Sequence, residues 1–180
     1  MIILVEGLDR CFKSGSVEYL RSKIKNPKIL NTHCGKPPKG VNDFGWSLEY
    51  YKFWFKNLEQ VHSSGGTVIS DRSHLGESVY ADLYRNYSGL YVYDLEKLYV
   101  TTDWYLLLLT DDVCDIIARD DGKSIENNAS QMQATKEKFI SSFNKSRIPN
   151  KLHIDYARDD ITLETLPSVL DRFFELEERD

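Results

Sequence analysis

Residues 6–15 read EGLDRCFKSG and follow directly on the apolar run MIILV. Gly7, Lys13 and Ser14 stand at the spacing of a phosphate-binding loop, in which a glycine opens the turn and a lysine and a hydroxyl begin the next helix. Backbone N–H groups turned inward at a helix N-terminus favour a polyphosphate electrostatically. Lys13 would add a point charge at the outer phosphates, Ser14 a hydroxyl for Mg²⁺, and Gly15 a bare backbone in the first helical turn. An ordinary strand-to-helix turn can carry the same residue types. Their place immediately after the first strand makes the phosphate reading specific. The second glycine of the usual pattern is here Phe12. Glycine lets the backbone close on a phosphate, so a phenyl group there must swing out of the nest or block it. Glu6, Gly7, Asp9, Lys13 and Ser14 occurring together favour the outward placement.

Two further constellations follow along the chain. SDRSHLGESVYADLYR, residues 70–85, starts where an apolar run GTVIS ends. Asp71 would project to the same edge as the loop, to organise Mg²⁺ or take an acceptor proton. Arg72 beside it can grip an anionic acceptor with two hydrogen bonds. The plainer alternative makes Asp71 a helix cap and Arg72 a surface ion pair. RDDGKSIENN, residues 119–128, is polar and without helical pattern. Arg119 and Lys123 there could belong to a lid that brings cations to a transferred phosphoryl group, or to a solvated loop. The stretch 44–63 carries Trp46, Tyr50, Tyr51, Phe53, Trp54 and Phe55. Aromatics at helical spacing are mostly core, yet one or two, Trp46 and Tyr50 foremost, could stack on a planar substrate. Glu49 is expected to be buried among them.

The elements that would position these groups alternate short apolar runs with longer helical patterns, which predicts an α/β fold with a parallel sheet. Strands are predicted at 1–6, 28–33, 66–71, 103–109 and 151–155, and helices at 13–25, 44–63, 75–88, 93–101, 111–120, 129–146 and 161–178. The near-continuous apolar character of the strands suits a sheet covered on both faces. Right-handed crossovers then place ligands beyond the C-terminal strand ends, where the unusual polar residues fall. The chain has 180 residues, 41% hydrophobic and 28% charged, which fits one domain with a full core, here 1–180 with a mobile lid at about 119–128. Its net charge of −5 calls for neither nucleic acid nor an anionic membrane, although a local basic groove can exist within an acidic total. No apolar run is long enough to span a bilayer, and no signal peptide is expected. Cys11, Cys34 and Cys114 are scattered and odd in number, which points to reduced thiols and a cytoplasmic setting. The scattered histidines argue against a structural metal site.

With EGLDRCFKS, DRS and an arginine-bearing lid in this order, the chain resembles the thymidylate kinase-like group of P-loop nucleoside and nucleotide kinases, which includes phage-encoded members. The resemblance runs over the whole chain at low detail, and Glu6 and Asp9 match the narrower loop of that group. It implies a three-layer P-loop NTPase fold with sheet order 2-3-1-4-5 and an adenine pocket near Tyr156–Asp160. It implies ATP and Mg²⁺ as cofactors, with Lys13 and Ser14 at phosphates and metal, and Asp9 and Asp71 on the metal or acceptor side. Arg72 would contact the acceptor and Arg119 the lid-side phosphates. Homodimers formed through helices are frequent in the group. The implied activity is phosphoryl transfer to a deoxynucleoside monophosphate, a pyrimidine first. The loop after the second strand, HCGKPPKG, departs from the bacterial wording and leaves the acceptor open. A free nucleoside, or a modified base in DNA approached by Lys36 and Lys39, is the second reading, and a nucleotide- or partner-binding protein without chemistry the third.

Overall fold

The computed structural model describes residues 1–32, 37–119 and 128–176. Its five strands are β1 (Ile2–Gly7), β2 (Lys28–Asn31), β3 (Val68–Asp71), β4 (Trp104–Thr110) and β5 (Asn150–Asp155). They pair in parallel in the order β2-β3-β1-β4-β5, the order that the resemblance implies. All of β1 is buried, as is all of β4 except Tyr105, so the centre of the sheet is apolar throughout. Such strands need cover on both faces, which the crossover helices supply. The outer strand β2 is largely exposed and β5 half-buried along most of its length.

The helices are α1 (Lys13–Lys23), α2 (Asp43–Ser63), α3 (His74–Tyr84), α4 (Val92–Tyr99), α5 (Val113–Ala118), α6 (Ala129–Lys145) and α7 (Leu166–Phe174). Side chains cap four of them: Asn42, Ser73, Asp112 and Asn128 accept backbone N–H bonds in the first turns of α2, α3, α5 and α6. Those caps explain why α5 begins at Val113 and not at 111. The predicted helix 75–88 stops at Tyr84, because Asn86 turns left-handed (φ 55) before a 3-10 turn at Gly89–Tyr91 leads into α4. The predicted helix 161–178 starts only at Leu166. Proline in its first turn fixes that start, and Thr162 and Thr165 tie the preceding residues into a hydroxyl-bonded turn.

From Tyr51 onward α2 packs against the core, with Trp54 Nε1 donating to Thr32 Oγ1 at 2.8 Å. Its first half is held instead by the segment after α3, where the Tyr87 hydroxyl donates to Glu77 Oε1 at 2.8 Å and accepts from Ser47 Oγ at 2.7 Å. Among the described residues no helix is long and apolar enough to cross a membrane.

One buried polar node joins α3, α4 and the end of α6. Glu96 is 1% exposed, accepts from Ser146 Oγ (2.6 Å) and the Arg147 N–H (2.7 Å), and lies 2.6 Å from His74 Nε2. Burial opposes its charge, but the hydrogen bond and charge of His74 outweigh that and hold its pKa below the ordinary 4.5. A lowered carboxylate contributes stability that is complete above 4.5 and is lost as pH falls through the folded value. The melting temperature should therefore drop as pH falls below 4.5, and the drop should be shallower in Glu96→Gln, as followed by circular dichroism. Equal slopes in the two proteins would remove Glu96 from the acid response.

Candidate nucleotide site

The candidate loop begins where β1 ends. Gly7 has φ 150, and a Cβ there would lie 2.0 Å from the Leu109 carbonyl oxygen on the neighbouring strand. Only glycine lets β1 and β4 approach so closely. Lys13, the first residue of α1, is 7% exposed and curls back into the turn. Its Nζ donates to the Gly7 and Leu8 carbonyls at 3.0 and 2.5 Å and lies 3.7 Å from Asp9. Burial pulls its pKa down more than Glu6 and Asp9 push it up. Ser14 and Gly15 are exposed, and a Cβ on Gly15 would meet nothing within 4 Å. The first turn of α1 thus opens onto a cavity of about 510 Å³.

Phe12 adopts the left-handed conformation, φ 58 and ψ 23. Its ring meets Tyr156 edge-on at 5.4 Å, and the Arg119 guanidinium lies 4.9 Å from the ring centre. For a residue other than glycine this backbone costs about 1–2 kcal/mol. An edge-to-face pair returns about 0.5–1.5 kcal/mol and a cation–π contact at least about 0.5 kcal/mol. The contacts are of the size needed to offset the strain.

On the other flank of the cavity, Asp71 ends β3 level with Val5 of β1. Arg72 is also left-handed (φ 72), its N–H donates to the Val5 carbonyl at 2.8 Å, and its Nη2 donates to Asp9 Oδ1 at 2.9 Å. Burial opposes ionisation of Asp9, but the charges of Lys13 and Arg72 prevail and lower its pKa. Beneath them Glu6, fully buried, clasps the two loops together. Its Oε1 accepts from the Gly7 N–H at 3.0 Å, and its Oε2 accepts from Ser73 N (2.8 Å), Ser73 Oγ (3.2 Å) and Gly76 N (3.3 Å). Burial raises the Glu6 pKa despite the nearby Lys13 and Arg72.

Of the residues singled out from sequence, Asp9, Phe12, Lys13, Ser14, Gly15, Asp71, Arg72 and Arg119 all line this one cavity, whereas Gly7, at the end of β1, does not. Arg119 is held by Asp111, Nη2 to Oδ2 at 2.6 Å. Two lining residues went unnoticed in the sequence, Arg10 and Asn31. Arg10 donates to the Ile116 carbonyl at 2.8 Å and so ties the loop to α5; a second cation inside the loop was the available signal. The aromatic helix divides. Tyr51, Trp54 and Phe55 are core, whereas Trp46 is exposed and Tyr50 half-buried edge-on to Tyr51, and neither lines the cavity. Glu49 is not buried, as expected from its neighbours, but 73% exposed and paired with Lys52, because it lies on the opposite face of α2 from Tyr51 and Trp54. Lys36, Lys123 and lid positions 120–127 lie outside the described residues. A second cavity of about 430 Å³ lies between Pro37–Val41, Ser47, Tyr84 and Arg85. Beside it Arg85 Nη1 donates to the buried Glu77 at 2.9 Å.

The first cavity suits Mg²⁺ in one respect. The Ser14 hydroxyl and the Asp71 carboxylate, both hard oxygen donors, line it together. Mg²⁺ is usually held by one or two protein side chains, with substrate phosphates and waters completing the shell.

No protein-family model and no curated protein sequence matches the chain. Solved structures do match its fold. The YorR protein of Bacillus subtilis, in complex with phosphorylated GDP, superposes with a TM-score of 0.69 at 16% identity, covering 100% of this chain and 99% of that one. Thymidylate kinase from Candida albicans gives 0.67 at 18% identity over 98% and 92% of the two chains. Deoxyadenosine kinase from M. mycoides with bound dCTP gives 0.56 at 12% identity over 97% and 99%. The chain has the fold of the thymidylate kinase-like P-loop kinases.

Proposed function

We propose that the chain is an ATP- and Mg²⁺-dependent kinase that phosphorylates a deoxynucleoside monophosphate, with a pyrimidine as the first candidate. The observation that carries this reading is the convergence of Lys13, the first turn of α1, Asp71, Arg72 and Arg119 on one cavity. Phosphoryl transfer asks a protein mainly for positioning and charge. The α1 amides and Lys13 would hold the donor's phosphates, with Arg10 and Arg119 on the donor flank. Arg72 would set the acceptor oxygen in line with the γ-phosphorus. The γ-phosphorus bond to the bridging oxygen breaks, a bond to the acceptor oxygen forms, and ADP leaves. Bound at Ser14 and Asp71, Mg²⁺ would supply positive charge to offset the negative charge on the phosphate oxygens. The resemblance also carries a homodimer packed through helices.

A second reading has specific support. Arg72 is already paired with Asp9, and Asp71 adds a negative charge on the same flank. That balance suits a neutral hydroxyl acceptor, on a free nucleoside or a base in DNA, whose proton Asp71 would take. Lys39, exposed beside the second cavity, could then meet a strand backbone.

Arg72→Ala separates the two. With a monophosphate acceptor, KM should rise and kcat fall, since a charge-assisted hydrogen bond contributes about 1.5–3 kcal/mol. With a nucleoside acceptor, KM should change little. Steady-state kinetics of wild type and variant with both acceptors decides the acceptor class. A variant that turns over a monophosphate acceptor with wild-type KM and kcat would take Arg72 out of the acceptor site.

A further inference from the structure

The phosphate cavity has two flanks of different character. Asn31, Asp71 and Arg72 make one, polar and charged, next to where an acceptor must enter. Phe12 and Arg119 make the other, the side left for a donor's nucleoside. There an aromatic ring and a guanidinium, two kinds of group able to stack on a planar base, have closed on each other. The Phe12 ring rests edge-on against Tyr156, the Arg119 guanidinium lies 4.9 Å from the ring centre, and Asp111 anchors that guanidinium at 2.6 Å. Guanidinium groups stack on planar π faces, whether of a side chain or of a nucleobase. A base could take that face of Arg119 only by displacing the chain's own ring.

We propose, resting on the kinase reading above, that Phe12 is a built-in occupant of the base-stacking position, so that the donor is selected by its polyphosphate and not by its base. The phosphates would meet Lys13, Ser14 and Gly15, which lie past Phe12 in the chain and of which Ser14 and Gly15 are exposed. Base identity is then read weakly. A ring-free residue at position 12 would open the slot between Arg119 and Tyr156 and create a preference for purines, which offer the larger stacking surface.

The test is equilibrium binding of the Mg²⁺ complexes of ATP, GTP, CTP, UTP and inorganic tripolyphosphate to wild type, Phe12→Gly and Phe12→Asn. Asparagine tolerates the left-handed backbone and carries no ring, so it covers a failure of the glycine variant to fold. Stacking of a base on a side chain is worth about 1–3 kcal/mol, on the order of 5- to 150-fold in affinity. Wild type should bind all four nucleotides within about 5-fold of one another and of tripolyphosphate, and the variants should favour purines by at least about that factor. A wild-type preference larger than this, unchanged in both variants, overturns the proposal. Turnover in the same samples separates it from the reading it rests on. Base-indifferent binding without transfer sustains the proposal and removes the kinase. Transfer with strong base preference sustains the kinase and removes the proposal. Failure of wild type to bind any triphosphate removes both.

Discussion

Lys13→Ala should lower phosphoryl transfer by at least about 10²–10³-fold, the usual effect of deleting a group aimed at transition-state charge. The side chain cannot be dismissed as a surface lysine. It is 7% exposed, and its ammonium is fixed by two backbone carbonyls of the turn it leaves. Removing it also strips a cation from beside buried Glu6, whose pKa burial already raises, so Glu6 would take up a proton more readily. The fold should survive, because the apolar centre of β1, β3 and β4 does not depend on Lys13. Steady-state kinetics with circular dichroism on the same samples checks both halves. Wild-type turnover in a folded variant would show that the loop does not handle the phosphates.

Gly7→Ala should have the largest effect on stability. The new methyl would lie 2.0 Å from the Leu109 oxygen, at a φ of 150 that side chains rarely adopt. Backbone strain of about 1–3 kcal/mol and overpacking of about 1–3 kcal/mol together give roughly 4 kcal/mol. That is a large share of the 5–15 kcal/mol typical of a domain. Gly15→Ala is the internal contrast, since its Cβ enters open space inside a helix and should stabilise by about 0.5–1 kcal/mol. Urea titration of both variants should therefore move the midpoint in opposite directions. Equal and small shifts would mean that β1 and β4 can separate to admit the methyl.

Much of this architecture is legible before any coordinates. MIILV and WYLLLL read as strands covered on both faces, and Lys13, Ser14, Asp71 and Arg72 fall at strand ends that a parallel sheet brings to one edge. The sheet order came from the resemblance, because periodicity says nothing about which strands are neighbours. Local patterns missed the late start of α7, where proline and two threonines outweigh a good apolar stripe. They also placed Glu49 in the core, although its facing on α2 depends on which stripe of a many-sided aromatic helix meets the sheet. The contacts of Phe12 are of another kind. Tyr156 and Arg119 are remote in sequence and join Phe12 only through the pairing of β4 with β1 and β5. The Glu6 clasp on Ser73 and Gly76 was hidden for the same reason. Both depend on tertiary approach, which composition and spacing do not encode.

The most direct measurement follows labelled γ-phosphate from ATP with Mg²⁺ in the presence of deoxynucleoside monophosphates and, separately, free nucleosides, with Lys13→Ala as the control. Label should move to an acceptor with wild type, fastest with a pyrimidine monophosphate, and stay on ATP with the variant. Absence of transfer to every acceptor, together with no ATP·Mg²⁺ binding at millimolar concentration by calorimetry, would contradict the kinase reading.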